Sequence, residues 1–311
     1  MTKQNEHIEN LSPEMFKVVG GRNADTDKLA KKSVSFWKEV MIRFSQNKLS
    51  IFGIFILAII TLMAIFVPIF SPYSFSDQLG NYNAPPSAAH WFGTDDLGRD
   101  VFVRAWYGAR ISLFIGIAAA LIDLVIGVLW GSISGLAGGR VDNIMMRIAD
   151  ILSAVPYLLV VIILLVVLEP GITTMIIALS LTGWVNMARI VRGQVLSIKS
   201  QEYVLAARTL GANTWHLIRK HLVPNAMGAI LVTMTLTIPS AIFTESFLSY
   251  LGLGVPQPEA SWGTMASDGN KAIITAPWRL FFPAFLISIT IFAFNAVGDG
   301  LRDALDPKLR K

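Results

Sequence analysis

The sequence predicts an all-α membrane protein of six transmembrane helices with both termini cytoplasmic. Three observations predict it. Only 15% of the 311 residues are charged while 53% are hydrophobic, against roughly 25% charged in a soluble domain. The apolar residues gather into runs that reach the ~20 residues of helix needed to cross a hydrocarbon core. The basic residues are divided unevenly between alternate connecting segments, which gives the chain an orientation.

Residues 1–48 read as a polar cytoplasmic N-terminal region. Within it Phe36, Trp37, Val40, Met41 and Phe44 recur at helical spacing, with Lys38 and Arg43 off that face. This predicts a short amphipathic helix that either lies in the membrane interface or extends the first span. The first span covers 49–70, from Leu49 to Phe70, and is uncharged throughout. It follows a polar, basic stretch, so it reads as an anchor and not as a cleavable signal. Pro68 and Pro72 mark its end. Residues 71–107 read as an extracytoplasmic segment that holds Pro85-Pro86 and His90-Trp91-Phe92-Gly93-Thr94-Asp95.

Residues 108–306 read as a five-helix core. The second span runs from Ile111 to Gly135, with Asp123 near its middle. A Gly138-Gly139-Arg140 turn and an amphipathic piece lead to the third span, Ile151 to Leu168. Glu169-Pro170-Gly171 is a minimal hairpin into the fourth, Ile172 to Ala188. A polar segment, Arg189 to Asn225, precedes the fifth span, Ala226 to Leu251, which Pro239 interrupts. A loop rich in Gly, Pro and Trp fills 252–279, and the sixth span is Leu280 to Val297. The two termini and the segments 136–150 and 189–225 carry 21 of the 26 Lys and Arg, and the opposite segments carry 5. Basic residues stay on the cytoplasmic side, so this asymmetry places both termini there.

Several function classes are excluded on residue grounds. There is no cysteine, so no disulfide and no thiolate metal site. His216 and His221 are five residues apart with no carboxylate beside them, which is a poor metal-ligand set. No G-x-x-x-x-G-K-[ST] phosphate loop, serine nucleophile elbow or H-E-x-x-H helix is present. The net charge of +5 is spread through the connections and not in one patch, so it makes no case for nucleic acid and bears on membrane orientation instead; membrane lipid is the expected surrounding. Transport or signalling remains, and catalysis by this chain is not expected.

The most informative segment is 201–225. Tyr203, Ala206, Ala207 and Leu210 fall at i, i+3, i+4 and i+7 and predict a short amphipathic helix. Gly211 stands where a helix end wants a residue in the left-handed region. Asn213 or Thr214 can cap a second short helix carrying Trp215, Ile218 and Leu222 on one face. That helix is expected to stop before Pro224, with Asn225 capping the fifth span. The result is a helix–glycine–helix elbow with an apolar, small-residue face. Either something docks on that face or it packs back on its own bundle.

The pattern Glu202, Ala206-Ala207, Gly211, Ile218, Pro224-Asn225 resembles the signature loop of permease subunits from binding-protein-dependent ATP-binding-cassette importers. The loop reads Tyr203-Val204-Leu205-Ala206-Ala207 where the family pattern has Glu-Ala-Ala. A second match is similar to the external segment of oligopeptide and dipeptide permeases of the second-subunit type. It runs from His90 through Asp95-Asp96-Leu97-Gly98-Arg99-Asp100 to Arg104, Gly108, Arg110 and Ser112. Phe247-Leu248-Ser249-Tyr250-Leu251-Gly252-Leu253-Gly254 with Trp262-Gly263, and Gly298-Asp299-Gly300-Leu301-Arg302-Asp303-Ala304-Leu305-Asp306-Pro307, fit the same subfamily. The resemblance covers residues 35–311.

It implies a multi-pass protein of the cell membrane with the type I importer permease fold. The implied assembly is a heterodimer of two homologous permeases on two ATPase subunits, supplied by an extracytoplasmic peptide-binding protein. No cofactor would be bound by this chain, and ATP and Mg would be used by the partners. Glu202, Tyr203, Ala206, Ala207, Arg208, Leu210, Gly211, Ile218, Pro224 and Asn225 would form the ATPase-coupling loop. Relatives in this class carry dipeptides, oligopeptides, antimicrobial peptides, glutathione or nickel, and that choice stays open.

Asp123, Glu245 and Asn295 are polar positions inside apolar runs, and a carboxylate there must face protein, water or a partner. Each is a candidate for the translocation path, with a structural hydrogen bond between spans as the other reading. Pro239 and Pro283 predict kinks. Trp91, Trp106, Trp262 and Trp278 are expected as interfacial anchors. A self-sufficient secondary transporter would show internal repeats and more acidic relay residues; a membrane scaffold or sensor would leave the elbow unexplained.

Overall fold

The computed structural model describes residues 35–305. The polar stretch 1–34 and the tail 306–311, on which part of the orientation argument rests, lie outside the described residues. The chain divides into two compact units, 1–42 and 43–311. In the first, the described residues open helix α1 (Phe36–Gln46). Asn47 then caps a new helix, its side chain accepting from the amides of Leu49 and Ser50. α1 is therefore not an extension of the first span.

The second unit is built from helices joined by irregular segments, the longest of them 71–100. It comprises α2 (Lys48–Phe70), α3 (Val101–Ala137), α4 (Gly139–Ala154), α5 (Tyr157–Val167), α6 (Ile172–Ile198), α7 (Glu202–Thr209), α8 (Thr214–Leu217), α9 (Val223–Leu248), α10 (Trp262–Lys271) and α11 (Trp278–Leu305). α3 is the central strut, and at 37 residues it is about 55 Å long. It starts at Val101 because the Asp100 carboxylate accepts from the Val103 amide, so residues 101–107 are its first turns.

Glycines at every fourth position set how closely α3 meets α6. A Cβ at Gly127 would overlap Met187, at Gly131 the Ala188 carbonyl and the Arg192 amide, and at Gly135 the side chain of Val195. Without hydrocarbon–water contrast between spans, backbone approach over small residues is what lets them pack. α2 meets α11 in the same way: the Ser50 hydroxyl donates to the Ala296 carbonyl at 2.8 Å, and Gly300 leaves room for it.

Among the described residues five helices are long and apolar enough to cross a membrane, and six crossings result if one bent pair counts as a span. The third crossing, expected as one helix over 151–168, is that pair. α4 and α5 meet at 77° across Val155-Pro156. Proline lacks the amide that would continue the ladder and pushes the preceding residue to extended backbone, and Val155 has ψ 132°. Pro239 and Pro283, by contrast, sit inside α9 and α11, which run on through them.

Candidate functional site

Two regions hold most of the predicted residues: the elbow between α6 and α9, and a cavity among α3, α6, α9 and α11. In the elbow, α7 spans Glu202–Thr209 and its end is closed by Ala212 N–H to the Ala207 carbonyl at 3.0 Å. Gly211 has φ +87°, the left-handed conformation its position in the pattern predicted. The Asn213 side chain accepts from the His216 amide at 2.7 Å and starts α8.

The continuation differs from expectation. The second helix does not stop before Pro224. A π turn over Ile218–Leu222 joins α8 to α9, and Pro224 falls in the first turn of α9. The wider π turn shifts the carbonyl that the proline ring would otherwise strike. Asn225 is thus not a cap; its Nδ2 donates to the His221 carbonyl at 2.6 Å from within the helix.

The faces also separate differently. Val204, Leu217, Ile218 and Leu222 are buried with Val191, Val195 and Ile230 in one apolar cluster, and Ala207 packs against it. Ile218 therefore anchors the elbow on the bundle. Glu202, Tyr203, Ala206, Arg208, Leu210, Trp215, Pro224 and Asn225 are exposed, Leu210 at 88%. The sequence pattern placed Trp215 with Ile218 and Leu222, but in the fold Trp215 stands outward beside the free face.

The second region is a cavity of about 500 Å³. Asp123 of α3, Thr182, Gly183, Asn186 and Arg189 of α6, Thr233 and Thr237 of α9 and Arg302 of α11 line it, together with Tyr157. Asp123 is 4% exposed, and no hydrogen bond from the described residues reaches its carboxylate. Gly183 gives it room, since a Cβ there would overlap the carboxylate.

Glu245 has a different setting. It is 0% exposed, in a cage of hydroxyls: Ser249 donates to Oε1 at 2.8 Å, and Ser112 and Ser246 to Oε2 at 3.0 and 3.3 Å. A charged side chain at membrane depth costs roughly 2.5–3.5 kcal/mol on insertion scales. Hydrogen bonds to a charged group return about 1.5–3 kcal/mol each, so the cage offsets that cost within the fold. Glu245 ties α9 to α3 and does not line the cavity. Asn295 is exposed on α11 and is not interhelical glue within this chain.

Sequence reasoning missed the charge knot of the segment before α3. The Asp95 carboxylate accepts from the Leu97 and Arg99 amides and from Arg99 Nε at 2.6 Å, with Arg104 Nε at 3.5 Å. His90 Nδ1 lies 2.8 Å from Asp100 Oδ2. Buried Arg279, at the start of α11, donates to Asn83 and Asp96 at 2.9 Å and pins the segment to the bundle. The signal was there in a lone arginine at the head of an apolar helix opposite an acidic loop. Trp262 and Trp106 are also buried, Trp262 Nε1 donating to the Ala105 carbonyl at 2.9 Å, so neither is an interfacial anchor. Trp91 is exposed.

Long apolar helices packed through glycine, a polar cavity at mid-bundle and a capped elbow with an unpartnered face define a membrane transport component. The chain belongs to the family of binding-protein-dependent transport system inner membrane components, whose model matches residues 127–311. The N-terminal transmembrane domain of oligopeptide transport permease C matches residues 35–86. The chain is 66% identical over 305 residues to the oligopeptide transport system permease protein OppC of Bacillus subtilis, covering 98% of this chain and 100% of that one. It is 57% identical to the dipeptide transport system permease protein DppC of the same organism, over 99% of this chain and 97% of that one. With OppC of Escherichia coli it is 41% identical, over 92% of this chain and 95% of that one. Among solved structures, a chain of the inward-facing MetNI methionine transporter shares the fold, with TM-score 0.55, 18% identity and coverage of 66% of this chain and 96% of that chain.

Proposed function

We propose that this chain is a translocation subunit of an ATP-driven importer of oligopeptides or dipeptides, forming the path with a second, homologous permease. Its near-full-length likeness to oligopeptide and dipeptide permeases carries the reading. Two ATPase subunits bind and hydrolyse ATP with Mg, an extracytoplasmic binding protein delivers the peptide, and the chain itself binds no cofactor. Both termini and the elbow lie in the cytoplasm, and the segments before α3 and before α11 face the binding protein.

The elbow is the coupling element. Exposed Tyr203, Ala206, Leu210 and Trp215 offer the ATPase an apolar face, and an apolar face in water gains by being covered. Buried Val204, Leu217, Ile218 and Leu222 fix that face to α6 and α9, so a push on the elbow moves the spans as a rigid body. Reconstitution of this chain with its three kinds of partner into liposomes tests the reading. Peptide uptake should require ATP and the binding protein, and this chain alone should show neither uptake nor ATPase activity. Peptide accumulation by this chain without the ATPases would point to a secondary transporter instead.

A further inference from the structure

We infer that Asp123, with Thr182 lining the same cavity, is a subsite for the protonated amino end of a peptide in transit. The inference rests on the importer reading and names what the cavity recognises. Asp123 is more than nine-tenths buried, lines the cavity and takes no hydrogen bond from the described residues. The Thr182 hydroxyl lines the same cavity and is likewise buried without a partner. A native fold leaves few such groups unsatisfied, and two at one cavity wall mark a place kept for a ligand.

The chemistry selects a cation that donates hydrogen bonds. A carboxylate in low dielectric attracts positive charge strongly. Among the described residues no group of three or more His, Asp or Glu could hold a metal ion, so a bare metal would lack its ligands. A primary ammonium carries three donors, which the Asp123 carboxylate, the Thr182 hydroxyl and the Tyr157 oxygen can accept. The volume of about 500 Å³ is within the range of small-ligand sites. Exposed Arg189 and Arg302 line the same cavity, Arg189 donating to Asp150 at 2.9 Å and to Ser153 at 3.2 Å. Arg189 is six residues beyond Gly183 on α6, about 9 Å along the helix. Arg302 then offers positive charge to a peptide's carboxylate end while its amine meets Asp123.

The test uses the assembled permease–ATPase complex in lipid nanodiscs without the binding protein, so that selection by that protein does not enter. Binding of a tripeptide with a free amino end is compared with its N-acetylated form, for the native complex and for Asp123→Asn, which keeps shape and removes charge. The native complex should prefer the free amine by about tenfold or more, the scale of one hydrogen bond to a charged group. Asp123→Asn should bring the two affinities together, and Asp123→Glu should restore part of the preference. A native complex that treats both peptides alike, or an Asp123→Asn complex that keeps the native preference, overturns the subsite. Failure of the importer reading itself is separate: the complete native system would then accumulate no peptide in liposomes.

Discussion

At Gly211 no heavy atom lies within 4 Å of where a Cβ would stand, and φ is +87°. Space is free there and only the backbone objects. A β-branched residue in that conformation is strained by about 1–2 kcal/mol or more, whereas asparagine tolerates it. Gly211→Val should therefore uncouple ATP hydrolysis from uptake or loosen ATPase binding, while Gly211→Asn retains most transport. Co-purification and uptake measured side by side check this, and equal uptake by both variants would show that the elbow's geometry is immaterial to coupling. Ala206→Trp, on the exposed face, should weaken ATPase capture in the same assay. Ala207 is the poorer probe because it packs against the chain's own core. Spacing foretold the conformation of Gly211 and the Asn213 cap because both are local events. It did not separate Ala206 from Ala207, since which side of a short helix is covered depends on α6 and α9. Nor did it distinguish Asp123 from Glu245. Each is a carboxylate in an apolar run, and only the fold brings Ser112 of α3 to one of them.

The packing of α3 on α6 leaves no room for an added side chain at Gly131. A side chain at Gly131 would collide with the backbone of Ala188 and Arg192 on the facing helix, which cannot move out of the way as a side chain could. Gly193 on α6 has nothing within 4 Å of a built Cβ. Gly131→Leu should then prevent stable assembly, with overpacking costing about 1–3 kcal/mol or more, and Gly193→Ala should be silent. Thermal melting and yield of the purified complex report both, and a Gly131→Leu complex as stable as the native one would refute the close approach. The Gly127, Gly131, Gly135 spacing was legible as a packing stripe, but hydropathy alone reads it as further membrane span. Prolines teach the same limit. Pro156 breaks α4 from α5, Pro224 is absorbed by a π turn, and Pro239 and Pro283 ride inside their helices. The residue is one and the outcomes are three, because neighbouring helices decide whether a freed carbonyl finds a partner.

For the whole molecule, hydropathy carried most of the architecture. Long apolar runs cannot be anything but buried in lipid or protein, so the order of the crossings was readable from the hydropathy pattern, though not that the third is the bent pair α4–α5. The ordered segment 71–100 was not readable as structure. It has no strand or helix period, and its shape comes from Asp95 holding Arg99 and from Arg279 reaching Asp96 and Asn83 across nearly two hundred residues of sequence. Orientation rests on the distribution of Lys and Arg, 21 of 26 falling on one set of segments. The fold supplies better reporters of it than the sequence does. Ser87 is exposed in the segment before α3, and Ile274, 94% exposed, is on the turn before α11. Arg140 and Arg219 are exposed on the opposite set of connections. Because the chain has no cysteine, single cysteines at these four positions give an unambiguous labelling experiment. An impermeant thiol reagent added to intact cells should modify Ser87→Cys and Ile274→Cys and spare Arg140→Cys and Arg219→Cys; inverted vesicles should reverse the pattern. Labelling of Arg219→Cys from outside intact cells would place the elbow away from ATP. The coupling role would then fall even though the fold and the cavity remained.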